Sequence, residues 1–269
     1  MSGTSRARWV GDGVAKALSS AALARGASAQ VVGVFRSGFY VRAGAHVFAV
    51  GHRHVAPGPL HLVLTELPTL PKEGDSVCIQ KSLLHAGAVT IDLSYAQVWS
   101  PTVPTKEFLT TALPILARMN WFVPEDVASR WTSLKLALGA NDLERARELL
   151  QGVGGGLTPT GDDVFAGILL MDCWCNPLSE RAAQEAKAAI TTDLSRAFLH
   201  WAARGQSILH VHDLLSAAHA MGAAATDAKA SASSRLRHAF DRVAQIGSSS
   251  GMALLAGLGL AADFCQPPS

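Results

Sequence analysis

The chain has 269 residues, enough for one large domain or two modest ones; 49% are hydrophobic and only 16% charged. That balance supports a substantial core and excludes an intrinsically disordered protein. The formal net charge is +2, without a long lysine or arginine run, so a nucleic-acid surface is not indicated.

Four scattered cysteines (Cys78, Cys173, Cys175 and Cys265) do not make a zinc set, and Cys173-Trp174-Cys175 reads as buried structural thiols. The N-terminus lacks the charged-then-apolar layout of a signal peptide. The apolar stretch Met252 to Phe264 is too short to cross a bilayer. The expectation is a soluble cytoplasmic protein with no membrane partner.

A first helix is expected over about Val10 to Ala24. Short apolar runs follow: Val31 to Phe35, Phe39 to Val41, His46 to Val50, Leu60 to Leu64, Val77 to Ile79 and Val89 to Leu93. Turn signals punctuate them, among them Gly44, Pro57-Gly58-Pro59 and Pro71-Lys72-Glu73-Gly74-Asp75. This is the pattern of a small antiparallel β barrel or sandwich.

Beyond Pro101 and Pro104 the chain reads as helical. Pro124 suits a first turn and Gly139 a helix end, while Asn141 with Glu144 has capping-box spacing before Asp142 to Leu150. Alanine-rich helices are expected over Ser179 to Ala203, Ser207 to Ala224 and Ser231 to Ala244, with the patch Ala223 to Ser234 as a loop. The fold class is therefore α+β: a β-rich domain over 1–104, then an all-helical domain over 105–269.

The stretch Gly154-Gly155-Gly156-Leu157-Thr158-Pro159-Thr160-Gly161-Asp162-Asp163 precedes a run that is apolar on every side. A helix entered through glycines offers unpaired N–H groups and a partial positive charge to an anion. Gly155, Gly156, Thr158, Thr160 and Gly161 are the candidate anion-binding residues. Thr160 and Asp163 also have the spacing of a capping box, which would account for them without a ligand. A second carboxylate at a buried helix entrance needs N–H groups, a cation or a ligand. Asp162 and Asp163 are thus the candidate catalytic residues, as general base, as Mg2+ ligand or as acceptor from an amide substrate. An anion beside them requires Mg2+, arginine or lysine as a bridge.

Gly161-Asp162-Asp163-Val164-Phe165-Ala166-Gly167 is echoed by Gly251-Met252-Ala253-Leu254-Leu255-Ala256-Gly257. The small residues of both would let two buried helices pack closely. Ser248, Ser249, Ser250 and Gly251 then form the opposite wall of a two-loop pocket. Among histidines, His210 and His212 are poorly spaced for a metal, His52-Arg53-His54 lies in a turn, and His200 shares a basic helix face with Arg196 and Arg204.

The segment Leu157 to Asp163, with its apolar run and Ala166-Gly167, resembles the Leu-Thr-Pro-Ser-Gly-Asp-Asp signature of the AllH-type family. That family includes a subunit of oxamate carbamoyltransferase from allantoin breakdown, a branch of purine degradation. Thr160 stands in the place of its serine. Ile246 to Gly251 is similar to a second family signature, with Ser248 where histidine is expected and Ala253 where a polar residue is frequent. The resemblance implies carbamoyl transfer between oxalurate and phosphate, giving oxamate and carbamoyl phosphate, in a hetero-oligomer with two other kinds of subunit.

Two other readings stand beside it. Thr160 to Gly167 also resembles the Gly-Asp-x-Phe anion hole of ribokinase-like kinases, in which Asp162 or Asp163 would activate a hydroxyl toward ATP. That fold sets alternating strands and helices around the motif, whereas helices flank it here. The third reading is a non-catalytic ligand-binding or scaffold subunit.

Overall fold

The computed structural model describes residues 4–19, 29–52, 55–67, 69–119 and 121–265. They fall into two compact units that meet in sequence between Ser100 and Pro101. The class is α+β, with strands in the first unit and helices throughout the second.

The first unit opens with β1 (Thr4–Gly11) and α1 (Asp12–Leu18). The strands β2 (Ala29–Phe35), β3 (Gly38–Ala43), β4 (His46–His52), β5 (His61–Leu64), β6 (Val77–Gln80), β7 (Leu83–Ala86), β8 (Val89–Asp92) and β9 (Gln97–Trp99) follow. In space they run β2-β3-β4-β5-β1-β8-β7-β6, with β9 beside β1. An antiparallel bridge between Gln30 and Ser76 brings the two ends together, and Val31 exchanges backbone bonds with Asp75 and Gly74 at 2.9 Å. The result is a nearly closed barrel, which leaves little unpaired edge. Phe39, Phe48, Leu62, Leu64, Leu84 and Ile91 fill it, and α1 adds Val14 and Ala17 to the same core.

The expected antiparallel barrel is corrected to a mixed one. β4 pairs β5 in parallel, and β1 pairs both β8 and β9 in parallel. The hairpins β2–β3, β3–β4, β6–β7 and β7–β8 are antiparallel, as tight turns require. The expected first helix is corrected too: Val10 belongs to β1, the helix spans Asp12–Leu18, and residues 20–28 lie outside the described ones. The Pro71 to Asp75 turn forms as expected, with Asp75 Oδ2 accepting from the Lys72 N–H at 2.8 Å.

The second unit contains α2 (Lys106–Ala117), a 3-10 turn (Glu125–Arg130), α3 (Trp131–Gly139), α4 (Leu143–Leu150) and α5 (Thr160–Cys175). Then come α6 (Arg181–Ala188), α7 (Asp193–Ala202), α8 (Leu209–Gly222), a second 3-10 turn (Thr226–Ala228), α9 (Lys229–Ala244) and α10 (Ser250–Ala262). Three expectations shift here. Asp142, not Asn141, caps α4, its side chain accepting from Arg145 N at 2.9 Å, while Asn141 takes a left-handed φ of 58°. The long helix from Ser179 divides into α6 and α7, because Thr192 caps a new start by accepting from Ser195 N at 3.1 Å. The alanine-serine patch before Ser234 is largely the start of α9.

The helices α5 and α10 form the centre of this unit, both buried along nearly their whole length. Their small residues bring the backbones together. A Cβ at Gly257 would overlap the Val164 carbonyl, and one at Gly167 would overlap the Leu254 carbonyl. The Ala-Gly echo read from the sequence is thus a helix–helix contact.

Candidate active site

Because α5 and α10 pack along those glycines, their N-terminal ends lie side by side. The loops that lead into them touch: the Thr158 and Ser250 hydroxyls are 3.0 Å apart and hydrogen-bonded. Thr158 and Ser250 are therefore brought together, as the two-loop reading expects. Ser248 and Ser249 are exposed, while Gly155 and Gly156 are exposed with open space around them.

The backbone donors of the α5 entrance are mostly engaged. Gly161 N donates to Val153 O at 2.8 Å, and Asp162 N and Asp163 N both donate to Pro159 O, at 3.0 and 3.2 Å. Pro159 is the N-cap residue and no side chain caps the helix, so Thr160 and Asp163 form no capping box. Gly161 and Gly251 serve close packing: a Cβ on them would overlap the carbonyls of Leu150 and Val243. The first is the end of α4 and the second lies in α9.

The two aspartates differ completely. Asp162 is 2% exposed, and both of its oxygens are used. Oδ1 accepts from Gly152 N at 2.8 Å, and Oδ2 accepts a short bond from the Thr191 hydroxyl. It ties the segment before the glycine loop to the break between α6 and α7. Asp163 has a buried Oδ2 without a hydrogen-bond partner. Burial, reinforced by the neighbouring Asp162 charge, raises its pKa to about 7, although the hydroxyls of Ser250 and Thr158 pull the other way. Asp163 is half-buried and faces the hydroxyl pair that joins the two loops.

Asp126, Thr191, Thr192 and Arg196 belong to this neighbourhood and were not singled out in the sequence for it. Asp126, on the first 3-10 turn, accepts from the Thr160 hydroxyl at 2.5 Å. Gly154, at φ 100°, passes so close that a Cβ would stand 2.9 Å from Thr160 Oγ1 and 3.0 Å from Asp126 Oδ2. Thr191 holds Asp162, and Thr192 donates to Leu157 O at 2.6 Å. Arg196 donates to Thr191 O at 3.0 Å, which ties a cation to the cluster. The readable signal was Thr191-Thr192-Asp193, a helix-start signature inside an alanine-rich run.

The remaining candidates lie elsewhere. His212 accepts from Ser207 N at 3.1 Å and stands edge-on to Trp174, with burial lowering its pKa to about 4. Arg204, in the turn just past the end of α7, is hydrogen-bonded to His200 at 3.0 Å. Arg53 and His54 lie outside the described residues. Among the described residues, no group of three or more His, Cys, Asp or Glu is placed to hold a metal ion. Nor is any helix among them long and apolar enough to cross a membrane.

The arrangement defines a class of site: two buried helices entering side by side, joined by a hydroxyl pair, with one oxygen of the Asp163 carboxyl kept buried and without a partner. Residues 150–262, which carry both entrances, match the family described as oxamate carbamoyltransferase subunit AllH. The family resemblance read from the two motifs is thus shown over that segment. No curated protein and no solved structure matches the chain.

Proposed function

We propose that this chain is a subunit of a carbamoyltransferase acting on a small ureido acid, with the joined loops of α5 and α10 forming its substrate pocket. The observation that carries the reading is Asp163, whose buried Oδ2 has no partner in the protein and faces Thr158 and Ser250. A group so placed is suited to exchanging a proton with a bound molecule near neutral pH. The family match supplies the reaction class.

In the direction from oxalurate, a phosphate oxygen bonds to the ureido carbon and the bond from that carbon to the oxamate nitrogen breaks. The nitrogen then needs a proton, which protonated Asp163 supplies, and the proton given up by the hydrogen phosphate as its oxygen bonds to carbon restores Asp163. The Thr158 and Ser250 hydroxyls orient the polar groups of the ureido acid, while the exposed Gly155-Gly156 backbone and Arg196 receive its charged end. Asp162 takes no part in the chemistry, because both its oxygens hold the loop. A hetero-oligomer with other carbamoyltransferase subunits follows from the family description, and Ser248, exposed beside the pocket, marks where this chain departs from the family pattern.

The test is calorimetry with phosphate, carbamoyl phosphate, oxamate and ATP, with and without Mg2+, on the wild type and on Asp163→Asn. Binding of carbamoyl phosphate or oxamate by the wild type, altered in the variant, is expected. ATP binding alone would favour the kinase reading, and binding without turnover in the assembled subunits would favour the scaffold reading. No binding of any of the four would sink the pocket.

A further inference from the structure

A cavity of about 460 Å3 opens at the other end of α5, away from the glycine loop. Asp163 and Asp172 are separated by nine residues of one helix, so the two places are about 13 Å apart along its axis. Leu143, Ile168 and Phe264 give the cavity an apolar wall. Its polar wall is an ion pair, Arg181 to Asp172 at 2.5 Å, with Asp172 7% exposed. The volume is that of a small-molecule site, and its lining is divided about equally between apolar surface and a few converging polar groups.

The ion pair is incompletely bonded. Arg181 also donates to Asn141 O at 3.0 Å, and Asp172 Oδ1 also accepts from Asn176 Nδ2 at 3.1 Å. Yet Arg181 Nε and Asp172 Oδ2 are buried without any partner. One unmet donor and one unmet acceptor thus sit in the same wall. Buried polar groups of this kind are rare unless something else completes them.

The unmet pair selects the ligand. The guanidinium and the carboxylate cancel. The C-terminal ends of α3, α5 and α10 face the cavity through Gly139, Asn176 and Ala261, and the N-terminal ends of α4 and α6 face it through Leu143 and Arg181, so helix ends of both signs surround it. Neither sign of charge is selected by those helix ends; a carboxylate would leave Asp172 Oδ2 unmet, and an ammonium ion would leave Arg181 Nε unmet. A neutral amide answers both needs, its carbonyl accepting from Nε and its N–H donating to Oδ2.

We propose that this cavity is a second ligand site, for a small neutral molecule that joins a primary amide or urea group to a short apolar tail. Arg181, at 30% side-chain exposure the freer half of the pair, turns to meet the ligand and uncovers both unmet atoms. The site stands independently of the carbamoyl-transfer reading, whose substrates are anionic and bind at the glycine loop.

The test is a titration of the full chain, followed by backbone amide NMR shifts, with propylurea, butyrate and butylamine as probes of matched length. Propylurea is expected to saturate with shifts at Gly139, Phe264 and Cys265, and the two charged probes to bind at least about tenfold more weakly. Arg181→Lys and Asp172→Asn should each weaken propylurea, and Asp163→Asn should not. Ser179→Phe, at the exposed rim, blocks the mouth without touching the core and should also abolish the shifts. The proposal is overturned if propylurea fails to saturate, if a charged probe binds as well, or if Ser179→Phe leaves the affinity unchanged. Loss of carbamoyl phosphate binding in Asp163→Asn bears on the other site alone, so the two readings fail separately.

Discussion

Asp162 and Asp163 are neighbours in sequence and opposites in chemistry. Asp162 satisfies the Gly152 N–H and the Thr191 hydroxyl, so its removal strands two donors in a buried place. Asp162→Ala should therefore cost about 2–4 kcal/mol in urea unfolding. Asp163 satisfies nothing with its Oδ2, and in the proposed reaction its proton is transferred. Asp163→Asn should lower turnover of the assembled enzyme about 100-fold or more while the protein remains folded. Equal loss of activity and stability in both variants would refute this division of labour. The sequence displayed the pair and its apolar helix, and so it named both aspartates. It could not rank them, because the ranking depends on Thr191, which lies 29 positions away in the break between α6 and α7. Asp126 was hidden for the same reason: its partner, Thr160, is 34 positions further on.

At the scale of elements, the decisive contact is α5 against α10. Gly167 and Gly257 occupy the crossing, each against a carbonyl of the other helix, and this approach sets Thr158 within hydrogen-bonding reach of Ser250. Gly257→Ala should push the helices apart and cost about 3 kcal/mol. It should also weaken carbamoyl phosphate binding, although Gly257 lies two turns from the loop. Unchanged affinity together with reduced stability would show that the helix spacing does not govern the pocket. This contact was legible because small residues recur at the same offset in both motifs. The barrel was less so. β1 was read partly as helix, since its inward residues Ser5 and Ala7 are small and its outward residues Arg6 and Arg8 break no visible alternation. The antiparallel hairpins were readable from short turns. The parallel pairings of β1 with β8 and β9 join segments more than eighty positions apart, and no local pattern records them.

At the scale of the whole molecule, each unit has a histidine that burial keeps neutral. His61 in the barrel and His212 in the helical unit both have pKa values lowered to about 4 from 6.5. A depressed folded-state pKa gives stability that is present above 6.5 and lost as pH falls toward 4. Both units should therefore weaken on acidification through that window. The helical unit carries an opposing group as well. Asp163 has a folded-state pKa raised to about 7 from 3.8, so its contribution is full below 3.8 and is lost as pH rises through 7. The two trends overlap only in the helical unit, where they largely offset each other below about pH 6.5 and leave a net loss toward pH 8, whereas the barrel should keep gaining stability up to about pH 7. Replacing Asp163 with asparagine removes the alkaline-side loss. The variant should gain up to about 4 kcal/mol relative to wild type at pH 8 and much less at pH 4. Thermal melts from pH 4 to 8, read by the near-ultraviolet signal of Trp174 and by barrel amide signals such as that of Phe48, separate the units. A wild type whose helical unit is no less stable at pH 8 than at pH 6, or a variant that gains equally at pH 4 and pH 8, would mean that the buried Oδ2 of Asp163 has found a partner in solution. In that case the carboxyl proposed to hand over a proton would already be engaged.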